Sequence, residues 1–532
     1  MKTNTSSHSN QTQAERLVSF VTSNGYDLFH DQLGDGYISE AERPLIAWRL
    51  RGSEASSLLM KIAWNTFGKA LRPDSLKSAI LVLDGIAKYN NPKKEIYTRI
   101  AKIGSTIYYD IGDDKHVIKI DESGWVLQNG APVYFRRYAH QVVQTLPERG
   151  GDIRNIKQYV HIDGITNEIL LTTYLTTCFI SDIDRPLLLL YGPAGAGKSS
   201  TLEFVRSLID PSRTPLLQPP KDINEMVQQA NKNYAFFLDN VSSIKQDISD
   251  ALCRFVTGNA FSKRALYTDD DDILYEFKRV TGFTSVAQIA SNADLLDRSL
   301  IIQLELLDEE KRISKEKINS DFAIEKPYLF GSLLDSVSNS LRTVNQFRID
   351  KLPRMADYYR YAVASSEYLG YGTERFVEAY LSNTQVQKQE TIETSSAIQA
   401  ILIFMKDKEY WTDTPTGLYW RLKHIAEKFE ILTGFPKGVT GLWRKIQETK
   451  ATLLSIGINI TKNRTSKSRS ITIEKTSKFN KTISESVPDI NEIDERPVFT
   501  NDVGGKNDAV ISYVGERDED NNIVITKHTS YK

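Results

Sequence analysis

Apolar positions along the chain change period several times, and each change marks a different kind of element. From Ala14 to about Asn90 they recur at helical spacing, as in Leu58-Leu-Met-Lys-Ile-Ala-Trp64 and Leu76-Lys-Ser-Ala-Ile-Leu-Val-Leu83, with Pro73-Asp74-Ser75 as a helix start. Over 97–136 they alternate as in strands: Ile107-Tyr-Tyr-Asp-Ile111, Val117-Ile-Lys-Ile120, Trp125-Val-Leu127 and Val133-Tyr-Phe135. Residues 14–150 therefore read as an N-terminal α+β accessory domain. From 151 to 310 helix and strand alternate. The strands are short unbroken apolar runs, Leu187-Leu-Leu-Leu190 and Ala235-Phe-Phe-Leu238, the pattern of a parallel sheet buried on both faces. The fold class is α/β, with helices on both faces of that sheet. A helical extension is expected over 311–382, a polar linker over 383–395, a compact unit over 396–475, a disordered tail at 1–13 and a mostly disordered one at 476–532.

Composition narrows the function classes. With 532 residues there is material for three or four domains. Lys+Arg total 67 and Asp+Glu 68, so any attraction to nucleic acid must be local. Two cysteines, Cys178 and Cys253, exclude a disulfide scaffold and a multi-cysteine zinc site and suit a reducing cytoplasm. No stretch is apolar for long enough to suggest a membrane span, and Met1–Gln13 has no apolar segment of a secretory signal.

The chemistry is concentrated after the leucine run. Gly192-Pro193-Ala194-Gly195-Ala196-Gly197-Lys198-Ser199-Ser200 fits G-x-x-x-x-G-K-[ST], with a strand before it and an amphipathic helix after it. In such a loop the glycines let backbone N–H groups turn inward around phosphate oxygens, and the helix N-terminus adds its partial positive charge. Lys198 is placed to reach the β- and γ-phosphates of ATP and the Ser199 hydroxyl to ligate Mg²⁺. Asp239 ends the Ala235–Leu238 run and is suited to hold the same Mg²⁺. The plainer alternative makes it a helix cap ahead of Ser242-Ser243. Asn240 follows, where a base that polarises water is often found. An amide orients water but accepts no proton, so slow turnover or a base from elsewhere is a live alternative.

The segment 247–305 resembles the AAA+ ATPases of superfamily 3 helicase type, found at the end of phage and plasmid primase-helicases. The likeness rests on the short core from Gly192 to Arg298, on Thr257-Gly258 through Lys263-Arg264 ahead of the third core strand, and on Asp294-Leu-Leu-Asp297-Arg298. It implies an oligomer, a hexameric ring, in which Arg298 reaches the γ-phosphate of a neighbouring subunit. It also implies a hairpin whose Lys263 and Arg264 grip DNA, though here the tip is Asp269–Asp272, and a polar sensor on the third strand, here Thr284. For Arg298 the plainer role is a local salt bridge with Asp294 or Asp297. The implied function is an ATP-dependent DNA helicase or translocase in replication of a phage, plasmid or integrated element, with any primase or polymerase on another chain. The alternatives are a non-helicase ATP switch and a degenerate ATPase serving as a DNA-binding scaffold.

Residues 396–475 read as three helices and a two-stranded ribbon, a winged-helix-like order. From Lys406 to Lys475 there are 14 Lys/Arg against 7 Asp/Glu. Arg444, Lys445 and Lys450 on the third helix, with Lys462, Arg464, Lys467 and Arg469 on the wing, form a candidate DNA contact. A basic solvated face is the competing reading. In the N-terminal domain Asp31/Asp35 and Asp110/Asp113/Asp114 read as turns, and Trp125, Tyr134 and Phe135 as sheet core.

Overall fold

In a computed structural model the apolar runs of 151–310 become one sheet. Its strands are Leu187–Tyr191, Ala235–Leu238, Val280–Ser285 and Ser299–Gln303. In space the order is second, third, first, fourth, and every neighbouring pair is parallel. Leu217 adds a single parallel bridge beside Leu238. Leu187, Leu188 and Leu190 are fully buried, each contributing about 1.5–3 kcal/mol. Helix Gly164–Thr177 precedes the first strand, Lys198–Ile209 and Ile223–Lys232 lie between the first and the second, and Gln246–Thr257 follows the second. The structure describes residues 11–258, 261–264, 272–275, 278–286, 293–306, 313–349, 352–464, 469–477, 479, 509–517 and 523–531. Two compact units divide the chain, Met1–Ile289 with Asp297–Val386, and Ala290–Leu296 with Gln387–Lys532.

The N-terminal region departs from its predominantly helical pattern. Between helices Gln13–Ser23 and Ser53–Phe67 lie three strands, Asp27–His30, Gly36–Glu40 and Arg43–Arg49. All five positions of Gly36–Glu40 are buried, although Ser39 and Glu40 are polar, so alternation could not mark the strand. The Asp31 carboxylate accepts the Leu33 and Asp35 N–H groups at 2.9 Å each, fixing the turn between the first two strands. These strands continue into Tyr134–Phe135 and Ile96–Tyr97 as a five-stranded sheet.

A second sheet is an antiparallel meander of Ile100–Ile103, Thr106–Asp110, His116–Asp121 and Gly124–Asn129. It belongs to the same compact unit as the parallel sheet, so position 150 is not the edge of an independent body. Trp125 stands on its edge strand with Arg149 3.7 Å over the ring, not in a core. A buried charge hub joins the meander to the parallel sheet. Arg99 Nε donates to Asp210 Oδ1 at 2.9 Å, and the Tyr234 and Ala235 N–H groups donate to Asp210 Oδ2 at 3.1 Å. Arg206 Nη2 lies 3.7 Å from that same oxygen. Burial by itself raises the Asp210 pKa, but Arg99 and Arg206 outweigh it and hold the carboxyl below its ordinary value. This stabilisation is present above the unfolded carboxylate range and is lost as pH falls through the depressed folded value. Asp210→Asn leaves two buried guanidinium groups without their carboxylate, and urea unfolding should register a loss of about 3–5 kcal/mol.

Beyond the sheet come helices Lys315–Thr343, Ala356–Tyr368 and Thr373–Thr394. Thr176, Ser336 and Ser365, all fully buried, close a triangle of hydroxyls at 2.9, 3.0 and 2.9 Å where three helices meet. Residues 383–394 of the expected linker 383–395 are helical, and the division between the two units falls among them, after Val386. They are the second half of the last helix, whose Gln, Lys and Glu residues are polar yet good helix formers. Asn383, 4% exposed, turns inward, where its Nδ2 donates to Ile301 O at 2.5 Å and its Oδ1 accepts from Ile301 N–H at 3.2 Å.

The second unit contains helices Ser396–Met405, Pro415–Lys428, Val439–Glu448 and Lys450–Ser455, and strands Tyr410–Asp413, Ile458–Arg464 and Arg469–Lys475. The expected ribbon is thus a three-stranded antiparallel sheet, with Tyr410–Asp413 on the edge beside Arg469–Lys475. The expected long third helix is interrupted at Thr449, so Lys450 opens a separate turn. The C-terminal tail is not without structure, since Ala509–Arg517 pairs antiparallel with Ile523–Tyr531. At the other end helix Gln13–Ser23 begins where the expected tail stops, capped by Thr12, and residues 1–10 lie outside the described set.

Candidate functional site

Strand Leu187–Tyr191 and helix Lys198–Ile209 are joined by the glycine-rich loop at the carboxyl end of the parallel sheet, where open α/β sheets receive ligands. The loop needs its glycines. Gly192 has φ +152°, and a Cβ there would stand 2.1 Å from Leu304 O. Gly197 has φ +77°, and a Cβ there would stand 2.1 Å from His161 Cδ2. Helix Lys198–Ile209 starts without a side-chain cap, leaving its first N–H groups pointing at the loop.

Lys198 Nζ donates to the Gly192 and Pro193 carbonyls, both at 2.7 Å. Burial lowers its pKa, with Asp239 opposing, so the ammonium is short of solvation and would gain from an anion. Next to it Ser199 Oγ donates to Asp239 Oδ1 at 2.8 Å, and Thr284 Oγ1 donates to the same oxygen at 2.6 Å. The Asn240 N–H donates to Thr284 Oγ1 at 2.8 Å, and the Val241 N–H to Thr284 O at 2.9 Å. Asn240 has φ +50°, in the left-handed region that asparagine tolerates better than most residues. The following helix begins only at Gln246, so Asp239 is not its cap.

The structure therefore brings Lys198, Ser199, Asp239, Asn240 and Thr284 together. Three adjacent parallel strands converge, and the register Leu190↔Thr284 and Leu238↔Phe283 sets Thr284 beside both the loop and Asp239. Arg298 lies elsewhere. Its carbonyl accepts the Leu187 N–H at 2.8 Å, at the amino end of the sheet. Four residues of strand, about 13 Å, separate that level from the loop. Asp297 is paired with Arg354 at 2.6 Å.

His161, Arg354 and Asn383 were not suggested by the sequence. His161 packs on Gly197 while its own N–H donates to Thr201 Oγ1 at 3.3 Å, and burial lowers its pKa against the pull of Asp163. A single histidine between Val160 and Ile162 carries no signal of such a contact.

Strand Phe261–Arg264 pairs antiparallel with Asp272–Tyr275, setting Lys263 opposite Ile273 and Arg264 opposite Asp272. The tip residues 269–271 lie outside the described residues, as does Lys467, and the Lys263, Arg264 and Arg464 side chains are likewise not described. In the second unit Arg444 and Lys445 both approach Glu448, at 3.7 and 3.5 Å. Lys462 lies 4.8 Å over the Trp443 ring, and Lys450 and Arg469 are exposed.

With this geometry in view, residues 153–380 match the family described as the actinomycete integrative conjugative element replication protein, and residues 397–488 match the AICE RepA C-terminal domain. Both segments are similar to a replication protein. No curated protein matches the sequence. Among solved structures, the apo NrS-1 C-terminal region is similar over 88% of this chain and 100% of its own, at 12% identity and a TM-score of 0.38. JCV helicase with a bound acetamide compound is similar over 39% of this chain and 61% of its own, at 12% identity and a TM-score of 0.20. Likenesses this slight carry no functional argument. The replication-protein segments enclose both the glycine-rich loop and the basic C-terminal region. Among the described residues no helix is long and apolar enough to cross a membrane.

Proposed function

We propose that the chain is an oligomeric ATPase that couples ATP binding and hydrolysis to movement along DNA during replication of a mobile element. The observation that carries the reading is the meeting of Ser199 and Thr284 on one Asp239 oxygen at the mouth of the glycine-rich loop, into which the Lys198 ammonium is folded. The similarity to replication proteins supplies the context.

The residues suit ATP with Mg²⁺. The loop and first-turn N–H groups would cradle phosphate oxygens, Lys198 would exchange two carbonyls for them, and Ser199 and Asp239 would hold the cation. When bound, ATP·Mg²⁺ supplies the phosphoanhydride bond and the metal's counter-charge. Thr284 keeps Asp239 oriented, and the anchored Asn240 backbone holds its carboxamide out at the exposed edge, where it orients water. None of the residues from Asn240 to Gln246 is a carboxylate. This favours slow turnover by an isolated subunit, and it is the one observation that supports an ATP switch as a second reading. Arg298, remote from its own loop, serves a neighbouring subunit.

The second unit's helix–strand–helix–helix order with a closing three-stranded sheet suits a winged helix holding DNA. Its affinity should fall with log salt at a slope near −0.9 per duplex phosphate neutralised, and replacing exposed Lys450 or Arg469 by alanine should flatten that slope by about 0.9 each. A filter-binding series insensitive to salt removes the DNA contact. The decisive experiment is ATP turnover with and without single-stranded DNA, alongside the mass of the assembled particle. DNA-stimulated turnover with strand separation supports the motor, whereas nucleotide uptake without stimulation supports the switch.

A further inference from the structure

Helices Ser53–Phe67 and Pro73–Tyr89 present a surface that the loop chemistry does not use. The first helix packs inward through Ala55, Leu58, Leu59, Ile62 and Ala63. Its period therefore leaves Lys61 and Trp64 outside, three residues apart on one face. Trp64 is 61% exposed, a rare position for an indole. From Arg51 to Lys77 there are five cations against only Glu54 and Asp74, in a chain of net charge −1. Arg51 is held by Asp84 at 2.8 Å. Lys61, Lys69, Arg72 and Lys77 are exposed and enter no ion pair among the described residues. On the same helix pair lies a groove of about 380 Å³ with an apolar lining of Leu76, Ile80 and Leu81 and polar members Arg51, Ser56 and Lys77. Trp64 is two turns along the first helix from Ser56, about 12 Å.

We propose that this face binds single-stranded nucleic acid. An unstacked base enters the groove, a neighbouring base lies on the Trp64 indole, and Lys61, Lys69, Arg72 and Lys77 take the phosphates. A duplex keeps its bases stacked on each other and offers nothing to an apolar slot or a bare indole, whereas a single strand offers both a base face and a charged backbone. An acidic peptide would meet the same cations, and the test separates it.

The experiment uses the full-length chain and a labelled oligodeoxynucleotide carrying 5-bromouracil. Ultraviolet crosslinks are mapped by mass spectrometry, and affinity is followed over a salt series for the wild type, Trp64→Ala, and Lys61→Glu with Lys77→Glu. Equal thermal melting of all three keeps folding out of the comparison. The expected result is crosslinks within residues 51–81, about tenfold weaker binding for Trp64→Ala with the salt slope unchanged, and a slope flatter by about 0.7 per lost contact for the charge variant. Crosslinks confined to other segments, with both variants binding as wild type, overturn the proposal. So does a charge-only effect with Trp64→Ala silent, the behaviour of a surface made for an acidic peptide. The proposal does not rest on the ATPase reading. Trp64→Ala leaves unstimulated ATP turnover unchanged, and a chain that hydrolyses no ATP would still give the crosslink.

Discussion

Replacing Lys198 with alanine is expected to weaken ATP·Mg²⁺ binding at least about 100-fold and to abolish turnover, with the fold intact. Lys198 is only 8% exposed and its ammonium donates to two carbonyls of its own loop, so it is already aimed inward before any ligand arrives. Each charge-assisted hydrogen bond transferred to a phosphate oxygen is worth about 1.5–3 kcal/mol, and two of them account for that loss. The amine's two hydrogen bonds run to its own loop and not to the sheet, so melting should move little. Titration calorimetry with ATP·Mg²⁺ checks the result. A Lys198→Ala chain that takes up ATP as the wild type does would remove the loop from the mechanism.

Arg298→Ala should give the opposite signature. ATP affinity should stay within about twofold of wild type, because Arg298 sits at the amino end of the sheet, about 13 Å of strand away from the loop. Turnover should fall by about 10³, the usual scale for losing an arginine supplied by a neighbour. Mixing Arg298→Ala with Lys198→Ala chains in equal amounts should restore about a quarter of wild-type turnover, since a working site needs an intact lysine on one subunit and an intact arginine on the next. Turnover by Arg298→Ala alone at the wild-type rate sinks the shared-site mechanism. No recovery on mixing, with Arg298→Ala inactive, assigns the arginine to its own subunit's structure.

What could be read from the amino acids divides along physical lines. The loop and the strands Leu187–Tyr191 and Ala235–Leu238 were legible because a buried parallel strand is a solid apolar run, and Gly192, Gly197 and Lys198 are each required by backbone or charge. The strand Val280–Ser285 was legible too, but not the bond from Thr284 to Asp239, which depends on strand register. The strands between Asp27 and Arg49 were missed because they bury Ser39 and Glu40, and periodicity arguments take polar residues to be outside. The helix over 383–394 was missed for the converse reason: polar composition says that little is buried, not that the backbone is unordered. Tyr410–Asp413 is four residues long and half exposed, too short for a period of two to declare itself.

The side chain of Asn383 has a consequence for how copies of this chain can come together. Ser299–Gln303 is the outermost strand on its side, and the carboxamide satisfies both backbone groups of its middle residue, Ile301. Another polypeptide therefore finds the middle of that edge already taken. Sheets of adjacent molecules are thus hindered from fusing along this border into a continuous ribbon, which leaves contacts at this border to side-chain surfaces that are able to part again.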